Sequence, residues 1–312
     1  MYKRIVCLFA ACLCALQVGA YETGRKHLGH LETYKPNYIA YRKDSGDVGF
    51  MDFQLSLKYP ILHDNTPEPP NYGWLPAPYL AFTVRSGQYI ETRNSAPVIA
   101  KSYSPELFFR YWINSETKPK GSVDSIDIIY GHESNGQSIN TELSYQQKQT
   151  DLTNNGEDIR FSDDYISRGW DYASFRWTHN WDQELSDKSQ FTTYITLKKF
   201  LANGLLQGDI EEYNHWENDA EGKPRSETDG ISLMFRLNTE FEGDVVSGDK
   251  ILISYVTGLE DSFTNSTFKM EFALDVGNLP LMVWLSHGYN SSVARYYREV
   301  TSVGIGLEFL GI

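Results

Sequence analysis

The chain has 312 residues, a net charge of −13 and a mean hydropathy of −0.44, yet 14% of its residues are aromatic. The negative charge argues against nucleic acid as a partner, because phosphate binding requires a basic surface. After the first twenty residues no run of about 18 apolar residues remains, which excludes an ordinary helical membrane protein. Many aromatic residues in a polar chain are typical of a transmembrane β-barrel, with its aromatic girdles, polar lumen and polar loops.

The first twenty residues are predicted to be a secretory signal peptide. A basic start is followed by a short apolar run and by the small residues Val18-Gly19-Ala20, so we expect cleavage after Ala20. All three cysteines of the chain lie in this segment, and the mature chain would have neither disulfides nor a cysteine metal site. Residues 21–312 are predicted to form a single barrel domain.

Apolar and polar residues alternate with a period of two along most of the mature chain. Between Met51 and Tyr59, for example, every second residue is apolar and those between are polar. One face toward lipid and one toward a polar lumen would require this pattern. The pattern predicts twelve antiparallel strands in an up-and-down barrel, near residues 36–43, 50–59, 77–85, 105–113, 123–132, 170–180, 189–199, 230–240, 249–257, 266–274, 280–287 and 300–309.

The longest polar connections follow odd-numbered strands, at residues 86–104, 133–169, 200–229 and 288–299. With the N-terminus in the periplasm, these loops would point out of the cell. Alternation alone also fits a soluble all-β sandwich. The predicted signal peptide, the cysteine-free mature chain and the apolar last strand favour the outer-membrane barrel.

A histidine and a serine lie on the predicted lipid-facing side of the fifth strand. Ile126, Ile128 and Tyr130 share one phase, which continues through His132 and Ser134. Residues two apart on a strand have Cα atoms roughly 6.5 to 7 Å apart, within reach of an imidazole and a hydroxyl. A base beside a hydroxyl is the minimal machinery of covalent acyl transfer. A His-x-Ser pair is most often an ordinary surface pair, and here its phase is what indicates a site.

Asp171 is the third candidate residue. It lies at the outer end of the sixth strand, in the same apolar phase as Ala173, Phe175 and Trp177. Antiparallel pairing of the two strands would bring it to the histidine. A carboxylate on the far nitrogen of His132 would fix the tautomer of the imidazole and complete a catalytic triad. The alternative is a solvated carboxylate just above the membrane.

The segment 130–138, Tyr-Gly-His-Glu-Ser-Asn-Gly-Gln-Ser, resembles the active-site stretch of the outer-membrane phospholipase A family, whose core is His-x-Ser-Asn-Gly. Residues 52–57, 103–108, 167–171 and 303–306 resemble further landmarks in the family's order. The resemblance implies that Ser134 is the nucleophile and His132 the base. It also implies that the backbone amide of Gly136 binds the oxyanion.

The same resemblance implies a Ca²⁺ ion, whose ligands would be the carbonyl of Gln137, the hydroxyl of Ser167 and, from a second subunit, Ser95. Such a site is completed only in a homodimer, which would be the active state. Calcium prefers oxygen ligands of these kinds.

The chain departs from the family pattern at several positions. Asp171 stands where the family commonly has asparagine, and Ile139 replaces an acidic residue. About twenty-five extra residues, rich in Gln, Asn and Asp, precede Ser167, so the calcium ligands would have to bridge an insertion that the family pattern does not contain. Val84 stands where the family has a glutamine at its dimer contact, so apolar contacts would carry more of the dimer. Phe309 would replace the usual terminal phenylalanine.

The resemblance predicts a calcium-dependent phospholipase A in the outer membrane of a Gram-negative cell. It would hydrolyse sn-1 and sn-2 acyl esters of membrane glycerophospholipids to fatty acid and lysophospholipid, and would cleave lysophospholipids as well. One alternative is a non-enzymatic barrel, a small pore or a structural protein, that retains an inactive site. Its lumen would contain Lys58, Arg110, Arg176, Lys269 and Glu271. A secreted soluble esterase is the other.

Overall fold

The structure is a computed structural model, and it describes residues 31–46, 48–61, 75–91, 93, 96–113, 124–181, 189–207, 223–242 and 246–309. The predicted signal peptide and Ser95 lie outside the described residues, so both remain predictions.

Twelve antiparallel strands form a closed barrel, which confirms the predicted fold class. Each strand pairs with its neighbours in sequence, and the last strand pairs with the first. The strands are β1 Asn37–Asp44, β2 Val48–Pro60, β3 Ala77–Gln88, β4 Val98–Ile113, β5 Asp124–Ser134, β6 Gly169–Trp181, β7 Ser189–Phe200, β8 Gly230–Glu242, β9 Val246–Gly258, β10 Thr267–Val276, β11 Leu279–Gly288 and β12 Val300–Phe309.

The prediction was wrong about one hairpin. Strand β4 begins at Val98, seven residues before the predicted start, and β3 continues to Gln88. The two strands stay paired through this region, with a register shift beside Gln88. The outer loop predicted at 86–104 therefore shrinks to residues 89–97. Lysine and serine side chains in 98–104 blur the alternation there, so the sequence alone did not reveal the strand.

A two-residue strand, Glu32–Thr33, precedes β1 and pairs with β2. It is separated from β1 by a short segment that contains Pro36, which has no N–H to donate to a ladder. The strands leave connections at residues 135–168, 201–229 and 289–299, where polar loops were predicted at 133–169, 200–229 and 288–299. Residues 208–222 of the second connection lie outside the described residues, and the outward direction of these loops stays a prediction.

The outer face of the barrel is an apolar belt. Ile128, Val303 and Ile305 are each at least half exposed, while their neighbours Asp127, Ile129 and Ser302 are buried on the lumen side. An exposed belt of this kind is stable only in contact with lipid. The chain therefore has the architecture of an outer-membrane barrel, and the predicted location in the outer membrane is confirmed. No helix within the described ranges is long and apolar enough to cross a bilayer.

Ion pairs between neighbouring charged side chains line the wall of the lumen. The Arg110 guanidinium donates to both oxygens of Asp127, at 2.7 and 2.8 Å, and Lys269 bonds Glu271 at 2.7 Å. Lys58 pairs with Glu32 at 2.7 Å. The predicted lumen residues thus face inward, and their pairing offsets the desolvation of buried charge.

The extra segment before Ser167 folds into helix α1 (Glu142–Asn154) and a 3₁₀ helix, Ile159–Tyr165. Thr141 caps α1 through a capping box with Ser144. The segment begins and ends at one point, because Ile139 and Ile166 form a parallel bridge and pack together. We call residues 139–166 the insertion.

Charged side chains hold the insertion against two other outer loops. Asp164 forms an ion pair with Arg295 at 2.6 Å and accepts from the hydroxyl of Tyr89 at 3.3 Å. Its neighbour Asp163 accepts from Arg298 at 2.7 Å and from the hydroxyl of Tyr145 at 2.5 Å. Three outer loops are therefore joined above the site end of the barrel.

Candidate functional site

His132 and Asp171 are paired across β5 and β6, and their side chains are hydrogen-bonded. The distance between Nδ1 of His132 and Oδ1 of Asp171 is 2.6 Å. Both residues point outward, as the strand phase predicted. Asp171 thus has the geometry of an orienting carboxylate rather than that of a solvated one.

Ser134 lies one step along the same face, paired with Gly169. A Cβ built on Gly169 would be 3.3 Å from Cβ of Ser134 and 3.4 Å from Cε1 of His132. The side-chain oxygen of Gln207 lies closer still, 2.5 Å from the same point, so the serine, the imidazole and the glutamine flank one small volume that a side chain at position 169 would fill. Since Nδ1 of His132 faces Asp171, the opposite edge of the ring is the one available to the serine.

Asp171 is completely buried although it points outward from the barrel. The reason is a segment after β7, residues 201–207, which folds over the outer surface and which we call the strap. The amides of Leu206 and Gln207 donate to Oδ2 of Asp171 at 2.7 and 3.2 Å. The hydroxyl of Tyr130 donates to the same oxygen at 2.5 Å, and it accepts from the Leu205 amide at 2.7 Å. Every oxygen of the carboxylate is thus engaged.

Asn135 organises the turn that follows Ser134. Its buried side chain donates to the Ile166 carbonyl at 2.7 Å and accepts from the amides of Arg168 and Gln137 at 3.0 and 3.3 Å. Gly136 has a φ of +60°, a left-handed conformation that glycine adopts without strain. The turn fixes the Gly136 amide just beyond the serine.

The two described calcium candidates lie on either side of the insertion's closing point. The Ser167 amide donates to the Ile139 carbonyl at 2.7 Å. The side-chain oxygen of Asn135 accepts from the amides of both Gln137 and Arg168. These bonds hold Gln137 and Ser167 near each other in space, although the insertion separates them in sequence. Their carbonyl and hydroxyl oxygens suit Ca²⁺, although both are neutral. The buried Ile139 supplies no carboxylate here.

In the described part of the chain, no group of three or more His, Cys, Asp or Glu side chains is arranged to hold a metal. Ser95, the ligand expected from a second subunit, is outside the described residues. Val84 lies on the outward face of β3 and is partly buried.

Sequence reasoning assigned no role to Tyr130, to Asn135 or to the strap. Tyr130 was placed correctly on the lipid-facing phase, and its closeness to Asp171 follows from the strand pairing. Asn135 belongs to the motif, where an asparagine in a turn is a usual hydrogen-bonding residue. The strap gave no signal, because it contacts Asp171 through backbone amides.

Fold and site together define an outer-membrane β-barrel with a serine, histidine and carboxylate set on its lipid-facing side. The family model described as phospholipase A1 matches residues 25–170. This range contains His132 and Ser134 and ends one position before Asp171. This match confirms the resemblance seen in the motif. No curated protein sequence matches the chain significantly.

Solved structures agree with this fold. Outer membrane phospholipase A from Escherichia coli superposes with a TM-score of 0.58 at 16% identity, covering 89% of this chain and 98% of its own. The Salmonella typhi outer membrane phospholipase, solved as a dimer with bound calcium, superposes with the same TM-score and identity, covering 90% and 92%.

Proposed function

We propose that the protein is a phospholipase A that hydrolyses acyl esters of glycerophospholipids in the outer membrane, releasing fatty acid and lysophospholipid. The observation that carries the proposal is the hydrogen-bonded pair of His132 and Asp171 beside Ser134, on a face that meets lipid. Polar residues on a lipid-facing surface are costly, and they usually mark a functional site. The family match supports the same substrate class.

In the proposed reaction the Ser134 hydroxyl attacks the ester carbonyl while His132 removes its proton. His132 then gives that proton to the departing lysophospholipid oxygen, leaving an acyl group on Ser134. Water, deprotonated by His132, releases the fatty acid. Asp171 holds the imidazole in the required tautomer and balances its positive charge in both steps.

The amide of Gly136 is the proposed oxyanion donor, since it follows the serine in a fixed turn. A single donor of this kind is worth roughly 3 to 4 kcal/mol in comparable sites. The carbonyl of Gln137 and the hydroxyl of Ser167 would hold a Ca²⁺ ion. When bound, this ion supplies positive charge and polarised water near the oxyanion.

A homodimer is part of the proposal, with Ser95 of the second subunit completing the calcium ligands. The Salmonella relative is a calcium-bound dimer, which supports it. We extend the proposal to sn-1 and sn-2 esters and to lysophospholipids on the strength of the family resemblance.

The test is hydrolysis of phosphatidylcholine in mixed detergent micelles with Ca²⁺, comparing wild type with Ser134→Ala and His132→Ala. Both variants should lose at least about 10³-fold in kcat. A matched control is Ser291→Ala, which alters a serine of another outer loop. Wild-type turnover in Ser134→Ala contradicts the proposed nucleophile.

Planar bilayer recordings test the alternative of a pore. The ion pair between Lys250 of β9 and Glu308 of β12 joins two strands that are not neighbours, which argues against an open interior. Steady conductance without lipid turnover would replace the enzyme by a non-enzymatic barrel. Recovery of the active protein from the membrane-free supernatant would favour a soluble esterase.

A further inference from the structure

Asp171 combines two properties that are costly together, a carboxylate and complete burial beside lipid. A buried carboxylate is tolerated only when donors satisfy its oxygens. Oδ1 faces the His132 ring, so the question is what satisfies Oδ2. The structure gives three donors, which are the Tyr130 hydroxyl and two amides of the strap.

The strap is fitted closely to this carboxylate. A Cβ on Gly204 would overlap Oδ2 and Cβ of Asp171. The Leu201 amide also donates to the backbone carbonyl of Asp171, at 2.9 Å. Tyr130 links the two parts, because its hydroxyl accepts from the Leu205 amide while it donates to Asp171. Strap, tyrosine and carboxylate therefore form one hydrogen-bonded unit.

We propose that the strap and Tyr130 are a positioning device that accepts only an ionised aspartate at position 171, so that asparagine, the family's usual residue there, cannot replace it in this chain. The proposal rests on the proposed function. It adds to that function a second set of residues, which act on the histidine through Asp171.

The reason is the direction of the hydrogen bonds. The Nδ1–H group of His132 needs an acceptor. An asparagine at position 171 would therefore turn its oxygen toward the ring and its NH₂ group toward the strap. That NH₂ group would meet the N–H groups of Leu206 and Gln207, and donors cannot satisfy donors. Buried groups left unpaired in this way are costly. The strap amides cannot turn away, because they belong to the backbone.

The first test uses no enzyme assay. In detergent-solubilised full-length protein, hydrogen exchange at the amides of Leu206 and Gln207 should be slow in wild type. It should be at least about tenfold faster in Asp171→Ala, because both amides lose their acceptor. Ser134→Ala is the control and should exchange like wild type. Equal exchange in wild type and Asp171→Ala overturns the strap contact, whatever the protein catalyses.

The second test measures kcat and KM with phosphatidylcholine micelles. Asp171→Asn should lower kcat by about tenfold or more, and Tyr130→Phe by about three- to tenfold, with KM within twofold of wild type. Asp151→Asn, on the exposed surface of α1, and Tyr111→Phe, on the outward face of β4, are matched controls that should keep wild-type kcat. Full kcat in Asp171→Asn overturns the proposal and leaves the phospholipase assignment intact.

A third test asks whether one substitution changes kcat in opposite directions in two backgrounds. Leu206→Pro removes one donor to Oδ2, so it should lower kcat when residue 171 is aspartate and raise kcat when residue 171 is asparagine. General damage to the fold lowers kcat in both backgrounds. A fall in both would contradict the donor clash, provided that the heat-dependent gel shift shows a folded barrel. If wild type has no Ser134-dependent turnover, the function fails, and the exchange experiment alone decides the strap geometry.

Discussion

A side chain on Gly204 would occupy the same space as the carboxylate of Asp171. Gly204→Ala should therefore push either the strap or the carboxylate out of place and weaken the bond to His132. We expect kcat to fall by about tenfold, the size of effect that a small misplacement of catalytic groups produces. Ala202→Ser, an exposed change in the same strap, is the control. Unchanged kcat in Gly204→Ala would show that the strap does not constrain the carboxylate.

Gly136 and Gly156 provide a matched pair, since their φ values are +60° and +71°. Replacing either by alanine should cost about 1 to 2 kcal/mol through backbone strain. Only Gly136→Ala should lower kcat, by about 10- to 100-fold, because the change disturbs the proposed oxyanion donor. Thermal unfolding and micelle assays on both variants separate the two effects. An equal kcat in the two variants would exclude the Gly136 amide from the reaction.

Asn135→Ala should loosen the turn after Ser134 and the base of the insertion. Three hydrogen bonds to backbone groups are lost, and buried partners are left unpaired, at a cost of about 2 to 4 kcal/mol. Denaturant or thermal unfolding measures this loss. The exposed Asn140→Ala is its control. A variant as stable as wild type would mean that the Ile139–Ile166 bridge closes the insertion unaided.

Removal of calcium with EDTA should abolish lipid turnover, and added Ca²⁺ should restore it. Since the described candidate ligands, Gln137 and Ser167, offer only neutral oxygens, we expect half-saturation on the order of 1 mM, as in weak extracellular sites. Ser167→Ala should shift that value to higher Ca²⁺ concentration and leave barrel stability unchanged. Full activity in EDTA would remove calcium from the proposal.

Acid should destabilise the outer end of the barrel through Asp229, which lies just before β8. Burial acts to raise the pKa of this carboxyl, but Lys198 and Arg225 together hold the pKa below its usual range. A lowered pKa in the folded state adds stability above the unfolded value of about 4, and that stability is lost as the pH falls through the folded value. Asp229→Asn should flatten the decline of the melting temperature below about pH 4. The exposed Asp151→Asn should not, and the same slope in both variants would contradict the assignment.

The barrel itself was predictable because a strand between lipid and lumen must alternate, and Val303 and Ile305 show this as plainly as the middle strands do. The same logic gave His132, Ser134 and Asp171 a common outward direction. The prediction was wrong where polar side chains blur the phase, as at Val98. The alternation of apolar and polar residues therefore predicted both the sheet and the direction in which the candidate site residues point.

The features that the sequence did not predict depend on backbone groups or on partners distant in the chain. Helix α1 has a single buried residue, Leu152, so it lacks the apolar stripe by which a helix is predicted. The strap holds Asp171 by amides that any residue except proline possesses. Pairing of Asp164 with Arg295 joins positions far apart in the chain, which no local pattern indicates.

The insertion leaves the barrel and returns to it at the Ile139–Ile166 bridge, and a Cβ on Gly156 near its tip would meet nothing within 4 Å. Foreign peptide placed at residue 156 would extend from a closed base instead of stretching the strands. Because this loop is predicted to face out of the cell, we expect the chain to carry epitopes or affinity tags on the surface of living bacteria. Antibody staining of intact cells would reveal such a display directly.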